Sequence, residues 1–158
     1  MITEDLIQKC LDYFAVHYPS CVYYINASQL WESSGHDVAA MLEHEDADKW
    51  RYFAACDVRL SQAKRWKLVR DIRDEEWRYR AAYFVRLSRS RRWKLVRDIR
   101  DEEWRYRAAC YVPDLSRSQR WELVRDIQDE HKRYYAACLV PDLTAKRRAE
   151  LRRGKCSG

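Results

Sequence analysis

Glycine and proline are nearly missing from this chain, with three of each in 158 residues. A β-sandwich or barrel turns often and depends on those residues, so their scarcity excludes such folds and favours helices joined by short connections. The six cysteines include no Cys-x-x-Cys pair, which removes the common zinc and dithiol motifs. No apolar run approaches the roughly 20 residues of a membrane-spanning helix. Residues Met1 to Cys10 lack the basic-then-apolar order of a secretory leader, so the expected setting is cytoplasmic, with no membrane partner. A nucleophile elbow, a phosphate loop and a zinc-protease helix are all absent. His36, Asp37, His44, Glu45, Asp46 and Asp48 cluster, and His17 lies between Cys10 and Cys21, but neither group has a recognised ligand spacing. The expectation is a protein that is not an enzyme and uses no metal or cofactor.

What the chain has in abundance is charge and aromatic rings. Charged residues make up 35%, and seven Trp and eleven Tyr provide bulky packing material, so the chain is globular and not disordered. Residues 1–48 carry nine acids and one Lys, a balance of −8, whereas residues 49–158 carry thirty basic and sixteen acidic residues, a balance of +14. Of the 31 basic residues 23 are Arg, the side chain that forks onto carboxylates and phosphates and stacks on aromatic rings.

Repetition dominates the rest. Residues 66–82 read WKLVRDIRDEEWRYRAA, and residues 93–109 repeat those seventeen letters. A third copy starts at Trp121, and a degraded one covers AAMLEHEDADKWRYFAA from Ala39. Trp50, Trp77 and Trp104 are 27 apart and the next step, to Lys132, is 28. The added residue falls where VRLS (Val85 to Ser88) becomes VPDLS (Val112 to Ser116).

Each unit reads as two short helices. Ser61, Ser88 and Ser116 are placed to cap the first, which carries Trp66, Leu68, Val69 and Ile72 or their counterparts. Asp74, Asp101 and Asp129 are placed to cap the second, with acids in its first turn at the positive end of the helix dipole. Trp77, Ala81 and Val85 form the expected inward stripe of that helix. A lone unit of this size cannot bury its apolar face, so units must stack. The resulting expectation is an all-α chain, a short right-handed α-solenoid. Residues 1–38 would form an acidic helical cap, followed by four repeats (39–65, 66–92, 93–120, 121–148) and a basic tail (149–158). The helix after Thr3 should end before Pro19, and Ala145 to Arg153 should form a basic closing helix.

The run Asp126-Ile-Gln-Asp-Glu-His-Lys-Arg-Tyr-Tyr-Ala-Ala-Cys-Leu-Val-Pro-Asp-Leu143 combines an acidic turn, an Arg, an Ala-Ala core and a Pro-containing turn before Leu. Over about residues 39–148 the chain thereby resembles leucine-rich-repeat variant and HEAT-like helical repeats. The resemblance implies a binding solenoid and names no one class of partner.

Two sets of recurring side chains are candidates for that binding. Arg51, Arg78, Arg105 and Arg133 recur in all units. They suit either a ladder to Asp71, Asp98 and Asp126 or a ligand contact. Tyr52, Tyr79, Tyr106 and Tyr134 recur beside Phe53, Arg80, Arg107 and Tyr135; they either line a groove or pack between helical layers. Arg70, Arg97 and Arg125, with Arg73 and Arg100, form a basic edge, and Arg86, Arg89, Arg91 and Arg92 a dense basic patch. The candidate partner-binding set is Tyr52, Tyr79, Arg80, Tyr106, Arg107, Tyr134, Tyr135, Arg70, Arg97 and Arg125. Tyr and Arg are typical anchors of protein interfaces, which points to an acidic protein surface. The alternative is nucleic acid, where bases stack on rings and Arg meets phosphate. The acidic beginning and basic remainder also allow head-to-tail self-association.

Overall fold

The structure, a computed structural model, describes residues 2–44, 46–56 and 59–154. The described residues form eleven α-helices and no strand: α1 (Glu4–His17), α2 (Val22–Ser33), α3 (Val38–His44), α4 (Ala47–Cys56), α5 (Gln62–Val69), α6 (Glu75–Phe84), α7 (Arg89–Val96), α8 (Glu102–Tyr111), α9 (Arg117–Val124), α10 (Glu130–Leu139) and α11 (Ala145–Arg153). The fold is all-α, with neighbouring helices packed as in a helical-repeat solenoid. It divides into two compact units, Met1–Ile72 and Arg73–Gly158.

In the first unit, α1 packs on α2 and α4, α2 on α3, and α4 on α5. Thr3 caps α1 by accepting from the Leu6 N–H, and the helix stops at His17, two residues before Pro19. Ile7, Cys10 and Leu11, on one face of α1, meet Trp31, Met41, Trp50 and Ala54 in the core. The Trp31 indole N–H donates to Gln8 Oε1 at 2.8 Å, and its ring stacks on His36, 5.0 Å between centroids and 3° between planes. That imidazole is thus committed to packing. The six-residue acidic cluster contains Glu45, which lies outside the described residues. Among the described residues no three His, Cys, Asp or Glu side chains come together as a metal site would require.

In the second unit the same local rules are used three times. Asp74, Asp101 and Asp129 accept from backbone N–H groups at the starts of α6, α8 and α10. Ser88, Ser116 and Thr144 do so for α7, α9 and α11. The tight hairpins are α6 with α7, α8 with α9 and α10 with α11, and α8 packs on both α6 and α10. The closely packed layer is therefore made of the second helices, each joined to the first helix that follows it. Ala81, Ala82, Ala108, Ala109, Ala136 and Ala137 are wholly buried and allow that approach. Ile99 and Ile127 lie just beyond the ends of α7 and α9, in the turns, and are buried there all the same. The basic segment after Thr144 is a further first helix. Its Leu151 is fully buried at the position of Leu95 and Leu123, and its Arg147 guanidinium lies 5.1 Å from the Trp121 ring centroid.

The joints of these hairpins are held by arginine. Helix C-termini leave carbonyls without intrahelical partners, and a left-handed glycine is the common remedy. Here α6, α8 and α10 end instead on extended Val85, Val112 and Val140. Buried Arg120, on α9, donates from Nη1 to Ala109 O at 2.5 Å and from Nη2 to Val112 O at 3.1 Å. Arg148, on α11, reaches Ala137 O at 2.5 Å, Val140 O at 3.0 Å and Leu143 O at 3.2 Å in the same way. Burial lowers the Arg120 pKa, but a guanidinium has ample margin to remain charged. Arg92, at the equivalent place on α7, turns its Nη1 to Asp114 Oδ2 at 2.6 Å, while Arg89 Nε donates to Asp114 O at 2.6 Å. Asp114 and Asp142, the residues of the lengthened turns, have φ of 63° and 61°, a left-handed conformation that Asp tolerates better than most residues. The dense patch of Arg89 and Arg92 is thus occupied in holding the next turn.

Arg120→Ala would strand two carbonyls and is expected to cost about 3 kcal/mol, by the scale of charged hydrogen bonds and unsatisfied buried groups. Urea unfolding measures this against Arg117→Ala, an exposed neighbour expected to stay within about 0.5 kcal/mol of the parent.

Candidate binding surface on the second helices

The recurring Tyr residues do not form one exposed column. Tyr52, in the first unit, is buried. In the second unit Tyr79 is 8% exposed and Tyr106 half-buried, whereas Tyr134 is 57% exposed. Tyr79 is buried because Trp104 of the next second helix stacks on it, 5.6 Å between centroids and 28° between planes. Burial accordingly raises the pKa of the Tyr79 and Tyr106 phenols. The expected inward stripe of Trp77, Ala81 and Val85 is corrected in its first member. Ala81 and Val85 are buried, but Trp77 is only half-buried and Tyr79 takes the inner place. Helical periodicity defines an arc, but which edge of it a neighbour covers depends on the angle between helices, which periodicity does not contain.

The Arg column is not an Arg–Asp ladder throughout. Arg78 Nη2 lies 4.0 Å from Asp98 Oδ2, but it also faces Lys94 O at 3.4 Å. Arg105 donates to Leu123 O at 2.9 Å, and Arg133 to Gln128 O. In the first unit Arg51 pairs with Asp48 at 2.7 Å. Carbonyls at helix ends, more than carboxylates, receive these guanidiniums. Between repeats the carboxylate work falls to Glu75 and Glu102. Glu75 accepts from the Arg100 and Asp101 N–H groups at 2.9 and 2.8 Å, and Glu102 from those of Gln128 and Asp129 at 2.7 and 3.1 Å.

On the solvent side of α6 and α8 the same three side chains satisfy one another. Arg80 binds Glu76 at 2.6 Å with its guanidinium 5.1 Å from the Trp77 ring centroid. Arg107 binds Glu103 at 2.6 Å and lies 5.3 Å from the Trp104 centroid. The Glu103 hydrogen bond raises the Arg107 pKa. In α10 these positions are His131, Lys132 and Tyr135. Without the Trp a hollow of about 460 Å³ opens between α8 and α10, lined by Glu103, Tyr106, Asp129, His131, Lys132, Tyr135 and Leu139. Beside it run Phe84, Tyr111 and Leu139, equivalent residues of successive second helices that are 57%, 49% and 52% exposed. Neither the hollow nor this apolar strip was evident from the repeats; the departures from repetition at His131, Lys132 and Tyr135 were its only signal.

The basic edge is self-paired. Arg70 lies 3.7 Å from Asp71 in the first unit, and Arg97 and Arg125 each lie 3.4 Å from Asp98 and Asp126 in the second. Arg97, Arg100, Arg105 and Arg125 share a second hollow of about 520 Å³, but Asp98, Glu122 and Asp126 line it too. No described helix is long and apolar enough to cross a membrane.

The cysteines after each Ala-Ala pair differ in the same graded way. Burial pushes the Cys110 thiol up to about 11, and Cys56 likewise, while Cys138 is exposed. Alkylation at pH 8 should therefore label Cys138 well before Cys110 or Cys56, as read by peptide mass spectrometry. Because the folded thiol holds its proton above the ordinary value of 9.0, stability is retained below about pH 9 and lost as pH rises toward 11. Cys110→Ala should lessen that alkaline loss in urea melts.

The chain matches no protein-family model, and comparison with curated proteins and with solved structures gives no significant match either.

Proposed function

We infer that the chain is a binding module without catalysis, whose second helices engage an acidic, aromatic-bearing segment of another protein. The observation that carries this reading is the hollow at Lys132. It interrupts an otherwise self-satisfied surface, and it lies beside the exposed strip of Phe84, Tyr111 and Leu139. Tyr106, Tyr135 and Leu139 supply an apolar floor for an aromatic or aliphatic anchor. Lys132 supplies positive charge in its lining, in a unit whose net charge from residue 73 to 158 is +9 (23 basic, 14 acidic). A few buried anchors surrounded by weaker contacts are how such interfaces gain affinity.

Nucleic acid is the second reading, favoured by the convergence of Arg97, Arg100, Arg105 and Arg125 on one hollow. It ranks second because the residues lining that hollow include no ring on which a base could stack, while Asp98, Glu122 and Asp126 stand beside the arginines.

Anisotropy titrations with a labelled peptide of alternating Glu and Tyr and with a labelled single-stranded oligonucleotide separate the two. Peptide binding is expected, weakened about tenfold or more by Tyr135→Ala with Leu139→Ala, the loss of two anchors. Oligonucleotide binding that falls steeply with salt and disappears in Arg97→Glu/Arg125→Glu would reverse the order of the readings.

A further inference from the structure

The two helical layers of Arg73–Gly158 differ in what they carry. The first helices α7, α9 and α11 hold eleven basic and two acidic residues, whereas the second helices α6, α8 and α10 hold six basic and five acidic. The first helices alone therefore carry +9, as much as the whole unit. One of their two acids, Glu150, is buried. Apolar surface divides the opposite way. Among the described residues of this unit the exposed large apolar side chains are Tyr83, Phe84, Tyr111, Tyr134, Tyr135 and Leu139, all on second helices. Trp121 of α9 is buried, with the Arg147 guanidinium over its ring.

Part of the first-helix charge is engaged within the fold, since Arg120 and Arg148 hold helix-end carbonyls and Arg92 holds Asp114. The rest faces solvent. Lys94 of α7, Arg117 of α9, and Lys146 and Arg153 of α11 are exposed, and their charged groups make no hydrogen bond or ion pair among the described residues. None of the four lines either hollow. Lys146 and Arg153 stand where α7 has Ser90 and, just past its end, Arg97, and where α9 has Ser118 and Arg125. Those residues are exposed as well. The basic face thus runs along the side of the row of helices and does not depend on where the row stops.

We propose that this face lies along the phosphate backbone of a nucleic-acid duplex while the second helices stay open to a protein, so that the unit joins the two. The joining rests on the protein reading above; the duplex contact does not. Cations with neither exposed rings nor apolar wedges suit a ligand of dense negative charge that asks for no stacking. A duplex offers one charge per about 1.7 Å of its axis. A single strand is held in large part by bases stacked on aromatic side chains, which this layer does not expose. An anionic membrane is gripped in proportion to the apolar area that enters it, and these helices expose no large apolar side chain among the described residues. Contacts of this kind position a duplex without reading its sequence.

Fluorescence anisotropy with a short labelled duplex, in DNA and in RNA form, tests this on the full chain. Saturable binding of at least one form is expected, with a log–log salt slope of about −4, since each contacted phosphate contributes about −0.9. Lys94→Gln/Arg117→Gln/Lys146→Gln should reduce that slope by about 3, and each single substitution by about 1, with the urea midpoint unchanged. Arg100→Gln in the second hollow, and Tyr135→Ala with Leu139→Ala in the first, should leave it as it is. Failure of both duplexes to bind at low salt would overturn the proposal. So would a slope that neither the triple nor the single substitutions lower. A single strand bound as tightly as the duplex and released by Arg100→Gln would overturn it in favour of the second hollow. Binding to vesicles of phosphatidylserine and phosphatidylcholine, with none to either duplex, would give the face to a lipid surface instead.

Discussion

The fold of the second unit rests on guanidiniums that fork onto helix-end carbonyls at two of its three hairpin joints, buried Arg120 between α8 and α9 and half-buried Arg148 between α10 and α11. A chain with three glycines cannot end six helices by the left-handed glycine turn, yet the last carbonyls of a buried helix need donors. Arg120 and Arg148 reach back from the next helix and supply them. In these two hairpins the capped helix and the capping helix are thereby locked as a pair. The charge is tolerable because Nη1 and Nη2 meet carbonyls in fork geometry, although Arg120 Nε is buried without a hydrogen-bond partner; an unpaired charge at that depth would be prohibitive.

The surface follows a related logic. Glu76, Trp77 and Arg80, and again Glu103, Trp104 and Arg107, satisfy each other by a salt bridge and a ring contact along one helix. Such exposed pairs contribute little stability, but they leave few groups seeking a partner. Under the proposed binding role, recognition would depend on where the pattern is broken. The third copy replaces all three residues, and the hollow at Lys132 is the result.

Much of the fold was legible in the letters. The Ser, Thr and Asp caps were readable because each sits just ahead of a segment with helical periodicity and its geometry is local. The buried Ala pairs were readable because two adjacent small apolar residues recur at the same place in every copy. Tyr79 against Trp77 was not readable, since both lie near the edge of one arc and only the neighbouring helix decides which is covered. Arg65, Arg120 and Arg148 carried no reading from the sequence and Arg92 was read only as part of a basic patch, although an Arg stands four residues after Ser61, Ser88, Ser116 and Thr144. Attention went to Arg51, Arg78, Arg105 and Arg133 because they adjoin the aromatic residues. An Arg in a polar helix start reads as solvated until the preceding helix end is seen to lie over it. The bounds of the units, 1–38 in the sequence reading and Met1–Ile72 in the structure, differ because α4 carries the repeat motif yet packs on α1.

The arginine joint also bears on how such a chain can change its length. Each joint is encoded within about one period and needs no residue from farther along the chain. Residues 66–82 and 93–109 are letter-for-letter identical, so loss or gain of the intervening period by recombination rejoins one copy to the other without a scar. The protein is in this sense written in syllables, and its ancestry can run through copy number as readily as through point substitution.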